Sequence, residues 1–182
     1  MTLNSSGTNL TSIPLMQKKI IILMATLVGI DSNVWSKCYG GYRGSKMKNK
    51  SQLMVEYSKT FIGKPYLWGG EGPEGYDCSG FIQEVLKCVG LDPRGDQTAQ
   101  GLYKYFSKNG LGTGIKEGSL LFWGKSKDKI THVSMAINYF QHIEAGGGGS
   151  IIKNLEIART SGAMIRVRPI NSRKDLRAAI KI

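Results

Sequence analysis

Gly63 to Phe81 reads GKPYLWGGEGPEGYDCSGF. From Pro65 onward this stretch places five glycines and two prolines around a single cysteine, Cys78. So much Gly and Pro marks a loop. After the cysteine, Phe81, Ile82, Val85, Leu86 and Val89 recur on one helical face, and Gly90 stands where a helix would stop. The pattern predicts a helix whose N-terminus carries Cys78. A thiol usually behaves as a small hydrophobe and prefers a packed interior, so this position points to chemistry rather than packing.

Working outward, Leu53, Met54, Tyr57 and Phe61 have helical spacing within Ser51 to Phe61, and that helix should end before Gly63 and Pro65. A short helical stretch is expected around Gln97 to Phe106. Strand patterns follow in SLLFW from Ser119, HVSMAI from His132, a partner from Phe140 to Ala145, and MIRVRPI from Met164 to Ile170. Ser172 and Asp175 form a capping pattern that predicts a last short helix. Helices first and an antiparallel sheet afterwards indicate an α+β domain.

The 182 residues, 41% hydrophobic and 9% aromatic, suffice for one globular domain. Residues 51–182 are expected to form it, with residues 1–50 as an N-terminal segment. That segment has a polar start over residues 1–15, an apolar run from Ile20 to Ile30 behind Lys18 and Lys19, and a basic Gly-containing connector over residues 37–51. The apolar run fits either the core of an export signal or a buried helix, and it is too short for an ordinary membrane span. Lys37 makes the SKC before Cys38 a poor context for lipid attachment. Localisation stays open between a secreted or envelope protein and a phage-associated one.

With 25 Lys and Arg against 13 Asp and Glu, the formal charge is +12, which favours polyanions, and nucleic acid, anionic membrane and the anionic polymers of a bacterial wall all qualify. No zinc-finger spacing, phosphate loop or aromatic RNA-binding signature accompanies the charge, so specific nucleic-acid binding is not expected. Three cysteines are too few for a disulfide framework and leave at least one thiol free. Cys88 is read as a buried helix residue, with pairing to Cys38 as the alternative. Two histidines without metal-ligand spacing argue against a metal site.

A thiol attacks carbonyls as thiolate, which a helix N-terminus and a neighbouring imidazole both favour. The imidazole candidates are His132 and His142. Strand alternation puts Val133, Met135 and Ile137 on one face and His132, Ser134 and Ala136 on the other. With the apolar face inward, His132 lies on the side available for chemistry. An imidazole base needs a third polar group to orient it. A turn centred on Asn138 would set Glu144 opposite His132 and Val133 opposite Ile143, whereas His142 opposite His132 would need a turn centred on Ile137. Asn is the better turn residue, which selects Glu144 and leaves His142 a near neighbour.

Together GKPYLWGGEGPEGYDCSGF, GSLLFWG from Gly118 and HVSMAINYFQHIEA from His132 resemble, in that order, the NlpC family of cell-wall cysteine peptidases over about residues 50–170. The resemblance implies a papain-like fold, with helices packed on a central antiparallel sheet and the nucleophile at a helix start. It implies Cys78 as nucleophile, His132 as general base and acid, and Glu144 in the third polar position, where the family often has His. Ser119 is a second departure, standing where Asp is usual. Tyr66 matches a tyrosine beside the nucleophile, and Asp77 and Ser79 match positions that in some members hold the substrate's amino end. Their plain readings are an aromatic packing contact for Tyr66 and a helix cap for Asp77.

The implied activity is cleavage of a peptidoglycan stem-peptide amide, after D-glutamate, through a thioester and without metal or organic cofactor. The alternatives are a wall amidase or acyltransferase on the same fold, or a catalytically silent wall-binding module. Assembly into a larger particle is compatible with a chain of this size.

Overall fold

A capping box starts α1, Lys50–Lys59, the first helix among the described residues. Asn49 Oδ1 accepts from the Gln52 amide at 2.9 Å, and Gln52 Oε1 accepts from the Asn49 amide at 3.3 Å, so two orphan donors are satisfied reciprocally. The computed structural model describes residues 49–182. The polar start, the apolar run from Ile20 to Ile30, the surroundings of Cys38 and nearly all of the basic connector lie outside the described residues.

The helix that begins at Cys78, α2, spans Cys78–Cys88. Tyr57 of α1 donates its phenol to Glu84 Oε1 of α2 at 2.9 Å. Buried Phe61, just past α1, meets Tyr57, Tyr76 and Phe81 edge to face at 5.0, 5.4 and 5.7 Å between ring centroids. One aromatic thus joins α1, the glycine-rich loop and α2, a packing whose loss to alanine costs about 3–5 kcal/mol. Cys88 is buried but is not a free thiol, which corrects the reading of it as a simple buried cysteine. The third helix, α3, spans Ala99–Asn109 and starts where Thr98 Oγ1 accepts from the Gly101 amide at 3.1 Å.

Five strands follow: β1 Leu120–Ser126, β2 Lys129–Ala136, β3 Gln141–Gly146, β4 Met164–Pro169 and β5 Leu176–Ile180. They form one antiparallel sheet in the order β4-β3-β2-β1-β5. Helices before an antiparallel sheet are the α+β arrangement expected. Both faces are covered. Phe122 of β1 packs edge to face on Tyr103 of α3, while Leu121, Trp123 and Ala136 form a second small core with Ile115, Ile170, Leu176 and Ala179. The β1–β2 register pairs Trp123 with His132 and Leu121 with Ser134, so His132 lies on this second face. That face is filled rather than open: Ser134 and Ala136 are fully buried and His132 is 9% exposed.

Two further expectations need correction, and one helix was not expected. The β2–β3 register pairs Met135 with Ile143 and Ala136 with His142, which centres the turn on Tyr139 and not on Asn138. Asn138 is a turn residue, but it acts from the first position, where its Oδ1 accepts from the Phe140 and Gln141 amides, both at 2.8 Å. The segment after Ser172 is strand β5, paired with β1, because the Asp175 carboxylate is taken by Arg173 at 2.7 and 3.0 Å instead of capping a helix. A fourth helix, α4, occupies Leu155–Ser161 between β3 and β4. Its signals are plain in hindsight: Asn154 Oδ1 accepts from the Ile157 amide at 2.9 Å, and Gly162 closes the helix at φ 64°.

Candidate active site

Asp77 builds the start of α2. Its Oδ1 accepts from the Gly80 amide at 2.8 Å and the Ser79 hydroxyl at 2.9 Å, and its Oδ2 accepts from the Gly69 amide at 3.1 Å. One carboxylate therefore caps the helix and ties the loop to it. The glycines allow a close approach here. A Cβ on Gly80 would collide with the Gly70 carbonyl, and one on Gly70 would come within 2.7 Å of the Gly75 carbonyl. The chain around Tyr66 is pinned from both sides: the Tyr66 amide donates to Ala163 at 3.0 Å, the Trp68 amide to Ile152 at 2.8 Å, and the Tyr76 amide to Pro65 at 3.1 Å.

On this frame Cys78 is a free thiol with 8% exposure. His132 of β2 lies beside it, near enough for the two side chains to influence one another. On the other side Nε2 of His132 stands 2.8 Å from Oε2 of Glu144. Thus the structure brings Cys78, His132 and Glu144 into one connected line. The shifted register leaves this intact because a displacement by two residues keeps every side chain on its face. It places Glu144 level with Ser134, and the carboxylate reaches His132 diagonally.

Burial is the largest influence on both partners, and it disfavours both charges. For His132 its interactions with Cys78 and Glu144, through hydrogen bonding that the imidazolium donates and through charge, outweigh this and raise it to about 9. For Glu144, the hydrogen bond and charge of His132, with His142 and Arg168 behind them, hold the carboxyl at about 2. The arrangement therefore favours an imidazolium beside the Glu144 carboxylate. Tyr66 is buried beside them. Burial first, then charge on Cys78 and on Asp77, pushes its phenol well above the usual tyrosine range, so it remains a neutral hydroxyl.

His142 is on the same face but outside this line. It is fully buried, its ring lies 5.2 Å from that of Trp123, and neither ring nitrogen has a hydrogen-bond partner among the described residues. Burial leads in pushing it down to about 4, opposed by Glu144 and aided by His132, Arg168 and Arg173. Ser119 is buried and its hydroxyl accepts from the Lys116 amide at 3.1 Å, a local role in the turn before β1. Sequence reasoning missed Arg166 and Arg168 of β4, which stand 3.8 and 3.6 Å from Oε1 of Glu144. Their spacing of two within a strand was a signal that both share one face.

Helices packed on an antiparallel sheet, with a buried thiol at a helix start near an imidazole and a carboxylate, are a papain-like fold. The NlpC/P60 family model matches residues 63–169, and this chain belongs to that family. The gamma-D-glutamyl-L-lysine dipeptidyl-peptidase of Bacillus subtilis (strain 168) is 31% identical over 121 residues, covering 64% of this chain and 39% of that protein. Protein P54 of Enterococcus faecium is 37% identical over 111 residues, covering 58% and 20%. These matches span between a fifth and two-fifths of the relatives' length. The solved NlpC/p60 domain of the peptidoglycan hydrolase SagA superposes with a TM-score of 0.53 at 28% identity, covering 72% of this chain and 98% of that one. RipD of Mycobacterium tuberculosis, described as a non-catalytic NlpC/p60 domain protein, shares the fold at 19% identity and a TM-score of 0.52, covering 75% and 99%.

Proposed function

We propose that this protein is a peptidoglycan hydrolase, a cysteine endopeptidase that cleaves a stem-peptide amide on the carboxyl side of D-glutamate. The observation that carries the reading is the 2.8 Å contact of His132 with Glu144, in a site where His132 also lies beside Cys78 at the start of α2. The names of the relatives from Bacillus subtilis and of SagA support wall peptide as the substrate class.

In the first step Cys78 Sγ, as thiolate, bonds to the amide carbon and the carbonyl electrons move onto oxygen. Backbone N–H groups at the start of α2, that of Cys78 among them, stabilise this oxyanion. The C–N bond then breaks as the His132 imidazolium gives its proton to the departing amine. In the second step water attacks the thioester carbon, His132 takes the water's proton, and the C–S bond breaks to restore the thiolate. Glu144 keeps the imidazole oriented and stabilises its charged form. Tyr66 lines the nucleophile as a neutral hydroxyl. Asp77 and Ser79 stay candidates for the substrate's amino end, beside their contacts to the helix and loop.

Mass spectrometry of fragments from purified peptidoglycan, digested by wild type and by Cys78→Ala, tests the bond. A fragment ending in D-glutamate with a new amino group on the following residue is expected from wild type alone. A cut between sugar and stem peptide would make the protein an amidase instead. Binding to wall by both proteins with no fragment from either would make it a silent module, the condition described for RipD.

A further inference from the structure

Glu144 divides its two oxygens between different tasks. Oε2 serves His132 at 2.8 Å, while Oε1 faces Arg168 Nη1 at 3.6 Å and Arg166 Nε at 3.8 Å. The pairing of β3 with β4 sets this up, because Arg166 is the cross-strand partner of Glu144 and Arg168 that of His142. At these distances the arginines act through charge and not through hydrogen bonds. The Nε of Arg166 is buried with no hydrogen-bond partner among the described residues, so this donor sits in the carboxylate's field without closing on it. Both side chains keep more than a third of their surface exposed, 36% and 38%, whereas that of Glu144 keeps 3%. Two cations at the rim thus flank one carboxylate beneath.

We infer that Arg166 and Arg168 are positioning residues, which draw Oε1 of Glu144 toward β4 so that Oε2 remains on His132 throughout the reaction. The inference rests on the peptidase reading of Cys78, His132 and Glu144. The groups facing Glu144 are His132 from β2, His142 from β3, and Arg166 and Arg168 from β4. Arg173 and Asp175, between β4 and β5, act on His142 and through charge coupling with His132. Without the two arginines, Glu144 would lose its nearest cations other than imidazolium and would take up a proton at higher pH.

The test uses the full chain with both arginines changed to Gln, and separately both changed to Lys. Turnover of a purified muropeptide is followed from pH 2 to 9, together with the rate at which iodoacetamide alkylates Cys78, located by peptide mapping. The Gln pair is expected to lower kcat about tenfold at neutral pH with KM unchanged, and to move the acid limb of both profiles upward by about one pH unit. The Lys pair, which keeps the charge, is expected to restore most of both effects. Unchanged profiles in an active, folded Gln pair would overturn the inference, as would a raised KM at constant kcat, which would make the arginines substrate contacts. If wild type cleaves no muropeptide yet the alkylation profile shifts in the Gln pair, the peptidase reading fails while the coupling of the arginines to Cys78 stands.

Discussion

His132 Nε2 and Glu144 Oε2 stand 2.8 Å apart although the strand register sets Glu144 level with Ser134. The carboxylate leans along the sheet to reach the imidazole, so the contact depends on side-chain length and charge. Glu144→Gln keeps the length and loses the charge. It is expected to lower kcat by about ten- to a hundredfold with little change in KM, in steady-state assays on a muropeptide. Unchanged kcat would remove Glu144 from the mechanism.

The raised pKa of His132 fixes the alkaline side. In the proposed mechanism the imidazolium protonates the leaving amine; it is lost as pH passes about 9, so kcat/KM should fall above that value. Stability follows the same sign. A base whose folded pKa is raised from 6.5 to about 9 contributes stability fully present below 6.5 and lost as pH rises through 9. Thermal melts of wild type and His132→Asn across pH 6 to 10 should converge at the alkaline end.

His142 governs the acid side with the opposite sign. Its folded pKa is depressed from 6.5 to about 4, so it withdraws stability as pH falls through that window, by on the order of 2 kcal/mol between pH 7.5 and 5. Glu144, depressed from 4.5 to about 2, withdraws more only below 4.5. His142→Phe fills the site beside Trp123 with a ring lacking buried polar nitrogens. Denaturant titrations of this variant should show a flatter response between pH 7.5 and 5, with stability at neutral pH equal to or above wild type. An unchanged pH response would exclude His142 as its source.

Gly80→Ala tests the packing of loop on helix. The added Cβ meets the Gly70 carbonyl, a backbone atom that cannot turn aside. A loss of about 2 kcal/mol or more is expected, with a further loss of activity as the start of α2 shifts. Wild-type stability and activity in this variant would show that the loop tolerates displacement.

How much of this was legible in the sequence follows from range. The start of α2 could be read because its cap, its apolar period and its terminal glycine are all local, and the grouping of Cys78 with His132 and Glu144 followed from faces that strand alternation defines. The turn at Asn138 misled by one residue because an Asx turn places its Asn first, ahead of the turn centre. Asp175 resembled a helix cap until Arg173 claimed it. α4 went unread although Asn154 and Gly162 bracket it, since its seven residues offer too few turns for a clear period. The arginines beside Glu144 could not be placed, because which strand lies next to β3 is decided by the whole sheet.

The most direct test of the central claim is release of new amino groups from purified peptidoglycan by wild type, Cys78→Ala and His132→Ala at matched stability. Release by wild type, and none above background from either variant, is the predicted result. Undiminished release by Cys78→Ala would contradict it, because no other free thiol among the described residues could replace the nucleophile.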